Sequence, residues 1–196
     1  MSPAWVLRTA RLVLSPVGGG DLADLRAFKA DPSVFAVMLG GVRNPSQTAE
    51  DLAHDVMNWG RYGFGTWAVR EAGHFVGIAG LEHRSDGRGV ALRFALSHDA
   101  QGRGLAREAA YAALRFGHDR AGLTRIIAVA RETNFGSRIV LGGIGMRETS
   151  TFEQGGVTMI LYESVARAGD VGRARDCADR GLAGRHLVGA AKLPKH

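Results

Sequence analysis

Residues 91–106 read ALRFALSHDAQGRGLA, and this stretch decides the fold. Apolar side chains alternate with others up to Leu96, which is typical of a β-strand, and beyond Leu105 their spacing becomes that of a helix. A turn containing Gly102 and Gly104 lies between the two patterns. The stretch therefore predicts a strand, a glycine turn and a helix in direct succession.

The glycine turn is a candidate anion site. The first N–H groups of a helix have no partner inside the helix and lie at the positive end of its dipole. Glycines at 102 and 104 let a pyrophosphate approach the backbone, and Arg103 and Arg107 add charge. The Lys-Ser/Thr of a nucleotide-triphosphate loop is missing, and no G-x-G-x-x-G lies early in a βαβ unit. The spacing alone leaves the phosphate ligand open, and a turn that merely ends a strand is the alternative.

The segments before the turn predict one strand, two helices and three further strands. Asp21 is a candidate N-cap for the first helix. The second helix is expected to start at Ser46 and to bury Leu52, Val56 and Trp59. The expected strands lie at residues 11–14, 66–71, 74–83 and 90–97, and the last three are linked by turns.

The segments after the turn predict a helix, a strand, a helix and two strands. The first helix carries one apolar stripe, formed by Leu105, Ala109, Ala112 and Phe116, while Glu108 belongs to its opposite, solvent side. The other elements are expected at residues 126–129, 135–144, 146–153 and 157–163. Together with the preceding segments, this order predicts an α/β domain with a mixed sheet and helices on both faces.

Composition favours one soluble domain. The chain has 196 residues, of which 45% are hydrophobic and 22% charged. We expect residues 1–163 to form the domain and residues 164–196 to form a basic, loose tail. The tail holds seven Lys/Arg and three Asp, a net charge of +4, which leaves +2 of the total +6 for the domain. A nucleic-acid-binding face is therefore not expected.

The cysteine, histidine and hydropathy patterns bear on which kinds of site and which location to expect. Cys177 is the single cysteine, which excludes an intramolecular disulfide and makes a cysteine-based metal site implausible. The histidines show no i, i+4 pair or H-x-E pattern, so we interpret them as surface residues and expect no metal. No leader-like segment and no run of about 18 apolar residues occurs. We expect a cytoplasmic protein that is not bound to a membrane.

Three motifs resemble one known family. Gln101-x-x-Gly104-x-Ala106 is similar to the Q/R-x-x-G-x-G/A signature of the GNAT superfamily of N-acetyltransferases, and here it follows a strand and precedes a helix. The segment TARLVLSP at residues 9–16 resembles the opening strand of the RimJ/RimL-like branch. The segment NFGSRIVL at residues 134–141, followed by Gly145-Met146, resembles a late motif of that branch. The resemblance spans residues 9 to about 163.

The resemblance implies a GNAT-like fold, with a central, mostly antiparallel sheet, and acetyl-CoA as the acyl donor. It implies that the backbone of residues 94–96 pairs with the pantetheine arm, that loop 102–107 holds the pyrophosphate, and that Asn134 and Ser137 lie beside the pantetheine and the thioester. The expected cofactor-binding residues are Phe94, Ala95, Leu96, Gln101, Gly102, Arg103, Gly104, Leu105, Ala106, Arg107 and Asn134. The branch often has Glu where this chain has Ala91, and an acidic residue where it has Gly142. Because of these two differences, the resemblance does not identify the general acid and the general base.

Three residues are candidates for the chemistry of acyl transfer. Ser137 is the candidate proton donor to the leaving thiolate, and its alternative role is an N-cap. Glu82, next to His83, could deprotonate the amine through water, but such a cluster is more often a solvated strand end. Arg93 shares a strand face with small residues and could bind a carboxylate or phosphate of the substrate. A structural ion pair is an equally good interpretation of Arg93.

We therefore predict an acetyl-CoA-dependent N-acetyltransferase that acts on a primary amine, either of a small molecule or of a peptide or protein N-terminus. The alternative is a non-catalytic acyl-CoA-binding sensor, suggested by the residues at positions 91 and 142. Nucleic-acid binding through the tail has only composition in its favour. The expected partners are acetyl-CoA and the amine, and the protein is expected to be a monomer or a homodimer.

Overall fold

A single mixed sheet organises the chain. The structure is a computed structural model that describes residues 2–38 and 40–166. The strands are β1 (Leu7–Arg8), β2 (Leu12–Pro16), β3 (Thr66–Glu71), β4 (His74–His83), β5 (Val90–Leu96), β6 (Arg125–Arg131), β7 (Arg147–Gln154) and β8 (Val157–Val165). The helices are α1 (Leu22–Ala30), α2 (Pro32–Phe35), α3 (Pro45–Tyr62), α4 (Leu105–Asp119) and α5 (Phe135–Gly143).

The sheet order is β1-β2-β3-β4-β5-β6-β8-β7. Every neighbouring pair of strands is antiparallel except β5 and β6, which run parallel. The parallel pair arises because α4 carries the chain from the end of β5 back to the start of β6. The predicted mixed, mostly antiparallel sheet is confirmed.

Helices cover both faces of the sheet, as predicted. On one face, Leu92 and Leu96 of β5 lie in a core with Leu105 of α4 and Leu141 of α5. On the other face, Ala95 lies in a second core with residues of α1, α2 and the first half of α3. Successive side chains of β5 thus enter different cores, as the period of two requires.

The second helix differs in detail from the prediction. α3 begins at Pro45, because Asn44 accepts a hydrogen bond from the Gln47 N–H and the Gln47 side chain accepts one from the Asn44 N–H. Val56 was expected in the core, but its side chain is 41% exposed. Asp55 takes the position in the buried stripe between Leu52 and Trp59.

The last strand extends two residues past residue 163, where we expected the domain to end. β8 continues to Val165, which is paired with Arg125, and the Ala166 N–H donates to the Thr124 carbonyl at 2.8 Å. The remainder of the predicted tail, residues 167–196, lies outside the described residues. None of the helices in the described part of the chain is long and apolar enough to span a bilayer.

Candidate functional site

The candidate site is the gap between β5 and β6. Only Ala91 and Ile127 are paired between these strands, so the strands separate beyond this point. A cavity of about 210 Å³ lies where they separate. Beyond Ala91, no strand pairs with the edge of β5 that faces this gap, whereas the opposite edge is paired with β4. An extended ligand chain could therefore add to this edge as a strand would.

Residues from both faces of the sheet line the gap. Leu92 and Phe94 line it from the α4/α5 side, where Asn134 and Ser137 of the α5 N-terminus also line it. The opposite rim is formed by Glu82, Arg84, Arg93, Val37, Met38 and Gln154. A group held in the gap can therefore contact side chains from both faces of the sheet.

The turn after β5 has the geometry of an anion site. Gly102 and Gly104 adopt positive φ values of 71° and 77°, which disfavour residues with a side chain. Gly104 is the N-cap of α4, and no side chain caps this helix end. The first N–H groups of α4 are thus available to a ligand at the positive end of the helix dipole. Gln101 braces the turn by donating from its side-chain amide to the Leu96 carbonyl at 3.1 Å.

The two arginines of the turn point away from each other. The Arg103 guanidinium donates to Glu71 at 2.7 Å, and its side chain is half exposed. The exposed Arg107 side chain lies beside Gly143 of α5. In this structure neither guanidinium is engaged by the glycine turn itself, so their contribution to phosphate binding stays a prediction.

Glu108 has a role that the sequence did not predict. It was expected on the solvent side of α4, but its carboxylate accepts hydrogen bonds from the Thr9 hydroxyl at 2.5 Å and from the Arg11 N–H at 2.9 Å, and it pairs with the Arg11 guanidinium. Burial alone would raise the pKa of Glu108, but the hydrogen bonds from Thr9 and Arg11 outweigh burial and lower it. Arg11 also donates to the Arg103 carbonyl at 2.8 Å. These contacts fix the β1–β2 turn against the glycine turn.

Ser137 is not the N-cap of α5. That position belongs to Asn134, whose side-chain oxygen accepts a hydrogen bond from the Ser137 N–H at 3.1 Å. The capping contact therefore uses the backbone of Ser137 and leaves its hydroxyl available in the gap. The alternative role of Ser137 as a cap is removed, and its catalytic role stays a prediction.

Glu82 and Arg93 form one ion pair. The Arg93 guanidinium lies 2.8 Å from both oxygens of the Glu82 carboxylate, and both side chains are partly exposed in the gap. The β4–β5 register places Glu82 directly opposite Ala91. A carboxylate from β4 thus lies beside Ala91. The two residues were predicted separately, and the structure joins them.

Asp55 is a carboxylate near the site that the sequence analysis missed. It accepts a hydrogen bond from the Thr66 hydroxyl at 2.8 Å. Burial raises the pKa of Asp55, and this effect exceeds the opposing effects of the Thr66 hydrogen bond and the Lys29 charge. One signal in the sequence indicates its position, since Asp55 follows Leu52 by three residues and precedes Trp59 by four, in register with the buried stripe of α3.

The raised pKa predicts how Asp55→Asn changes stability. A carboxyl whose pKa is raised on folding favours the folded state below its ordinary pKa of 3.8, and this contribution is lost as pH rises through the folded-state value. We therefore expect Asp55→Asn to raise the unfolding midpoint at neutral pH and to have little effect below pH 3.8. Thermal unfolding of both proteins across this range measures the difference. A variant that is less stable at neutral pH than at acid pH, relative to wild type, would contradict the assignment.

Among the described residues, no group of three or more His, Cys, Asp or Glu side chains is placed to hold a metal ion. His118, expected at the surface, is 6% exposed. Its ring nitrogens lie 2.6 Å from the Leu123 carbonyl and 2.9 Å from the Ser164 hydroxyl. This histidine therefore joins α4 to β8 and serves the fold.

Comparisons with known proteins agree with this geometry. The curated FsC-acetyl coenzyme A-N(2)-transacetylase of Aspergillus fumigatus is 29% identical over 160 residues, which cover 74% of this chain. The chain spans 66% of that relative's length, just under two thirds. A solved protein from Bordetella pertussis, described as a GNAT-family acetyltransferase, is 26% identical with a TM-score of 0.72, and the match covers 82% of this chain and 99% of that one.

The structure of RimL, a ribosomal alpha-N-protein acetyltransferase solved in complex with coenzyme A, also matches. Its TM-score is 0.72 and its identity 13%, and the match covers 85% of this chain and 99% of RimL. At this identity the likeness shows the fold alone, so the RimJ/RimL-like branch stays a hypothesis.

The family model described as the Acetyltransferase (GNAT) domain matches residues 11–147, which is more than half of the chain. These residues include the glycine turn, both strands of the gap and the N-terminus of α5. This protein belongs to the GNAT family of acetyltransferases.

Proposed function

We propose that the chain transfers an acetyl group directly from acetyl-CoA to a primary amine in the gap between β5 and β6. The observation that carries this proposal is that residues from both faces of the sheet line the gap, beside a helix N-terminus that no side chain caps. The turn at residues 101–107 holds the pyrophosphate, and the edge of residues 94–96 holds the pantetheine arm. The amine enters from the rim that carries Glu82 and Arg93.

The residues fit acetyl-CoA for two physical reasons. The positive-φ glycines and the N–H groups of α4 suit a pyrophosphate, which needs close backbone approach and positive charge. The edge of β5 that no strand pairs with suits the amide groups of pantetheine, which can exchange hydrogen bonds with the backbone. Asn134 and Ser137 then lie on the side of the gap nearest α5.

In the proposed step, the amine nitrogen forms a bond to the thioester carbon and the carbon–sulfur bond breaks. Glu82 receives the proton of the amine through water, and Arg93 orients the Glu82 carboxylate. Ser137 gives its hydroxyl proton to the leaving thiolate from the other side of the gap and takes a proton back from solvent, to which Glu82 releases the one that it received.

The names of two relatives indicate two kinds of acceptor. The Aspergillus relative is named for transfer to a nitrogen of FsC, and RimL is named for transfer to a protein N-terminus. We propose a primary amine as the class that both share. We also propose that the chain belongs to the RimJ/RimL-like branch and that it acts in the cytoplasm.

The test is acetyl-CoA turnover by the full chain with a panel of small amines and N-terminal peptides. We expect free thiol to be released only when a suitable amine is present, and the acetylated amine to be found by mass spectrometry. The sensor alternative predicts that acetyl-CoA raises the unfolding temperature but that no amine or peptide releases thiol. Binding without turnover across the panel would thus contradict the proposal.

A further inference from the structure

The lining of the gap carries an excess of positive charge. Four charged residues line it: Arg84, Arg93, Arg131 and Glu82. Arg93 is paired with Glu82 at 2.8 Å. Arg84 is paired at 2.6 Å with Asp86, which does not itself line the gap. Carboxylates thus neutralise two of the three guanidinium groups.

Arg131 is the third guanidinium and has no such partner. Within residues 2–38 and 40–166, no acidic side chain pairs with it, including that of the adjacent Glu132, and no hydrogen bond holds its guanidinium. The residue is nevertheless only partly exposed, at the end of β6. A charge that is partly removed from water is unfavourable without a counter-charge. The charge balance of the gap therefore favours an anionic ligand at Arg131.

The alternation along β6 places Arg131 on the side of the sheet where we expect the amine. Ala128 and Ala130 lie in the core that contains residues of α4 and α5. Ile127 and Val129 belong to a small core on the opposite face. Arg131 has the parity of these two residues, so its side chain belongs to the face opposite α4 and α5. It therefore lies on the acceptor side of the gap and not on the side of the proposed acetyl-CoA site.

The surroundings of Arg131 suit an alkyl chain that ends in a polar group. Val129 and Met159 provide apolar surface in the gap, and Met159 is the cross-strand partner of Arg131. Gln154, which also lines the gap, provides an amide that can donate a hydrogen bond. Along β6, Arg131 is four residues from the level of Ala91 and Glu82, which is roughly 13 Å of strand. This separation favours an acceptor whose anionic group is several bonds from its amine.

We propose that Arg131 binds a carboxylate of the acceptor, so that the preferred acceptors are amines with a carboxylate at the other end of a short chain. This inference rests on the proposed function, because it assumes that the amine lies beside Glu82. One unpaired guanidinium balances one negative charge and matches the two oxygens of a carboxylate, whereas a phosphate dianion needs a second cation. Arg131 is here a specificity residue, and Glu82 keeps the proposed proton-accepting role.

The test compares 6-aminohexanoate with 6-aminohexanamide, which has the same length and shape but no carboxylate charge. Binding of each probe to the full chain is measured by titration calorimetry at neutral pH with coenzyme A present, which has no acetyl group to transfer. We expect 6-aminohexanoate to bind at least about tenfold more tightly, the usual scale of charge-assisted hydrogen bonds.

Three variants assign this preference to a residue. Arg131→Gln should bring the ratio of the two affinities close to one, and Arg131→Lys, which keeps the charge, should retain part of the preference. Arg8→Gln removes the same charge from an exposed position on β1, at the other end of the sheet, and should keep the full preference. Unfolding midpoints show that each variant is folded. Their increase with acetyl-CoA should be the same in Arg131→Gln as in wild type.

Three results would overturn the inference. The first is a wild type that binds both probes equally or neither detectably, and the second is a preference that persists in Arg131→Gln. The third is an Arg131→Gln variant that no longer responds to acetyl-CoA, because Arg131 would then belong to the cofactor site. Thiol release is measured separately. If no amine is acetylated but the preference depends on Arg131, the proposed function fails and the carboxylate site stands. If amines are acetylated without this preference, the site fails and the function stands.

Discussion

Gly104→Val is expected to abolish the response of the protein to acetyl-CoA. A ligand present at about a hundred times its dissociation constant stabilises the native state by roughly 2.7 kcal/mol, and the variant should lose this gain. Gly104 has a φ of 77°, which a β-branched residue strongly disfavours. Valine would force the peptide to rotate and would redirect the first N–H groups of α4 away from the pyrophosphate. Thermal unfolding with and without acetyl-CoA measures the loss.

A matched control separates lost binding from backbone strain. Gly122 has a φ of 67° in the loop between α4 and β6, and an added Cβ there would meet no atom within 4 Å. Gly122→Val introduces the same substitution at the opposite end of α4, so it should lower the unfolding midpoint but keep the acetyl-CoA response. If Gly104→Val folds and responds to acetyl-CoA as wild type does, the pyrophosphate is bound elsewhere.

Ser137→Ala is expected to lower the turnover rate by about a hundredfold or more, the usual contribution of general-acid assistance. The hydroxyl acts only as the carbon–sulfur bond breaks, so acetyl-CoA affinity should stay close to that of wild type. Stability should also change little, because the capping contact with Asn134 uses the backbone N–H of Ser137. Single-turnover kinetics, acetyl-CoA affinity and the unfolding midpoint are measured on the same variant.

Asn134→Ala measures how much the cap of α5 contributes to stability. It removes the side chain that caps α5, and we expect it to cost about 1 kcal/mol of stability. A Ser137→Ala variant that resembles Asn134→Ala in stability and retains full turnover would exclude the catalytic role. The two substitutions therefore separate capping from chemistry within one turn of α5.

The fold was largely predictable because its strongest signals are local. The change of period between Leu96 and Leu105 and the two intervening glycines depend on neighbouring residues alone, and the structure has the strand, turn and helix there. The alternation along β5 also predicted the side of the strand that carries Leu92 and Leu96 as a core side; that Ala95 on the other side enters a second core was not predicted. The error at α3 arose because Val56 fits a helical stripe almost as well as Asp55, and only packing decides between them.

The family motifs also lie within short segments, which is why the acetyltransferase family was recognisable from the sequence. Contacts between residues that are far apart in the sequence could not be predicted in this way. Glu108 lies 99 residues from Thr9, yet its carboxylate accepts the Thr9 hydroxyl. Nothing in the local pattern of α4 distinguishes this glutamate from a solvated one.

The sequence by itself determined the order of the elements, the glycine turn and the residue types available for catalysis, because dihedral preferences and hydrophobic period act over a few residues. The tertiary structure alone decided that Glu82 pairs with Arg93 and lies opposite Ala91, since strand register is set by pairing across the sheet. It also decided that Asp55 is partly buried beside the gap, because α3 packs against the sheet there. Burial and charge pairing depend on which elements meet, and that is a property of the whole fold.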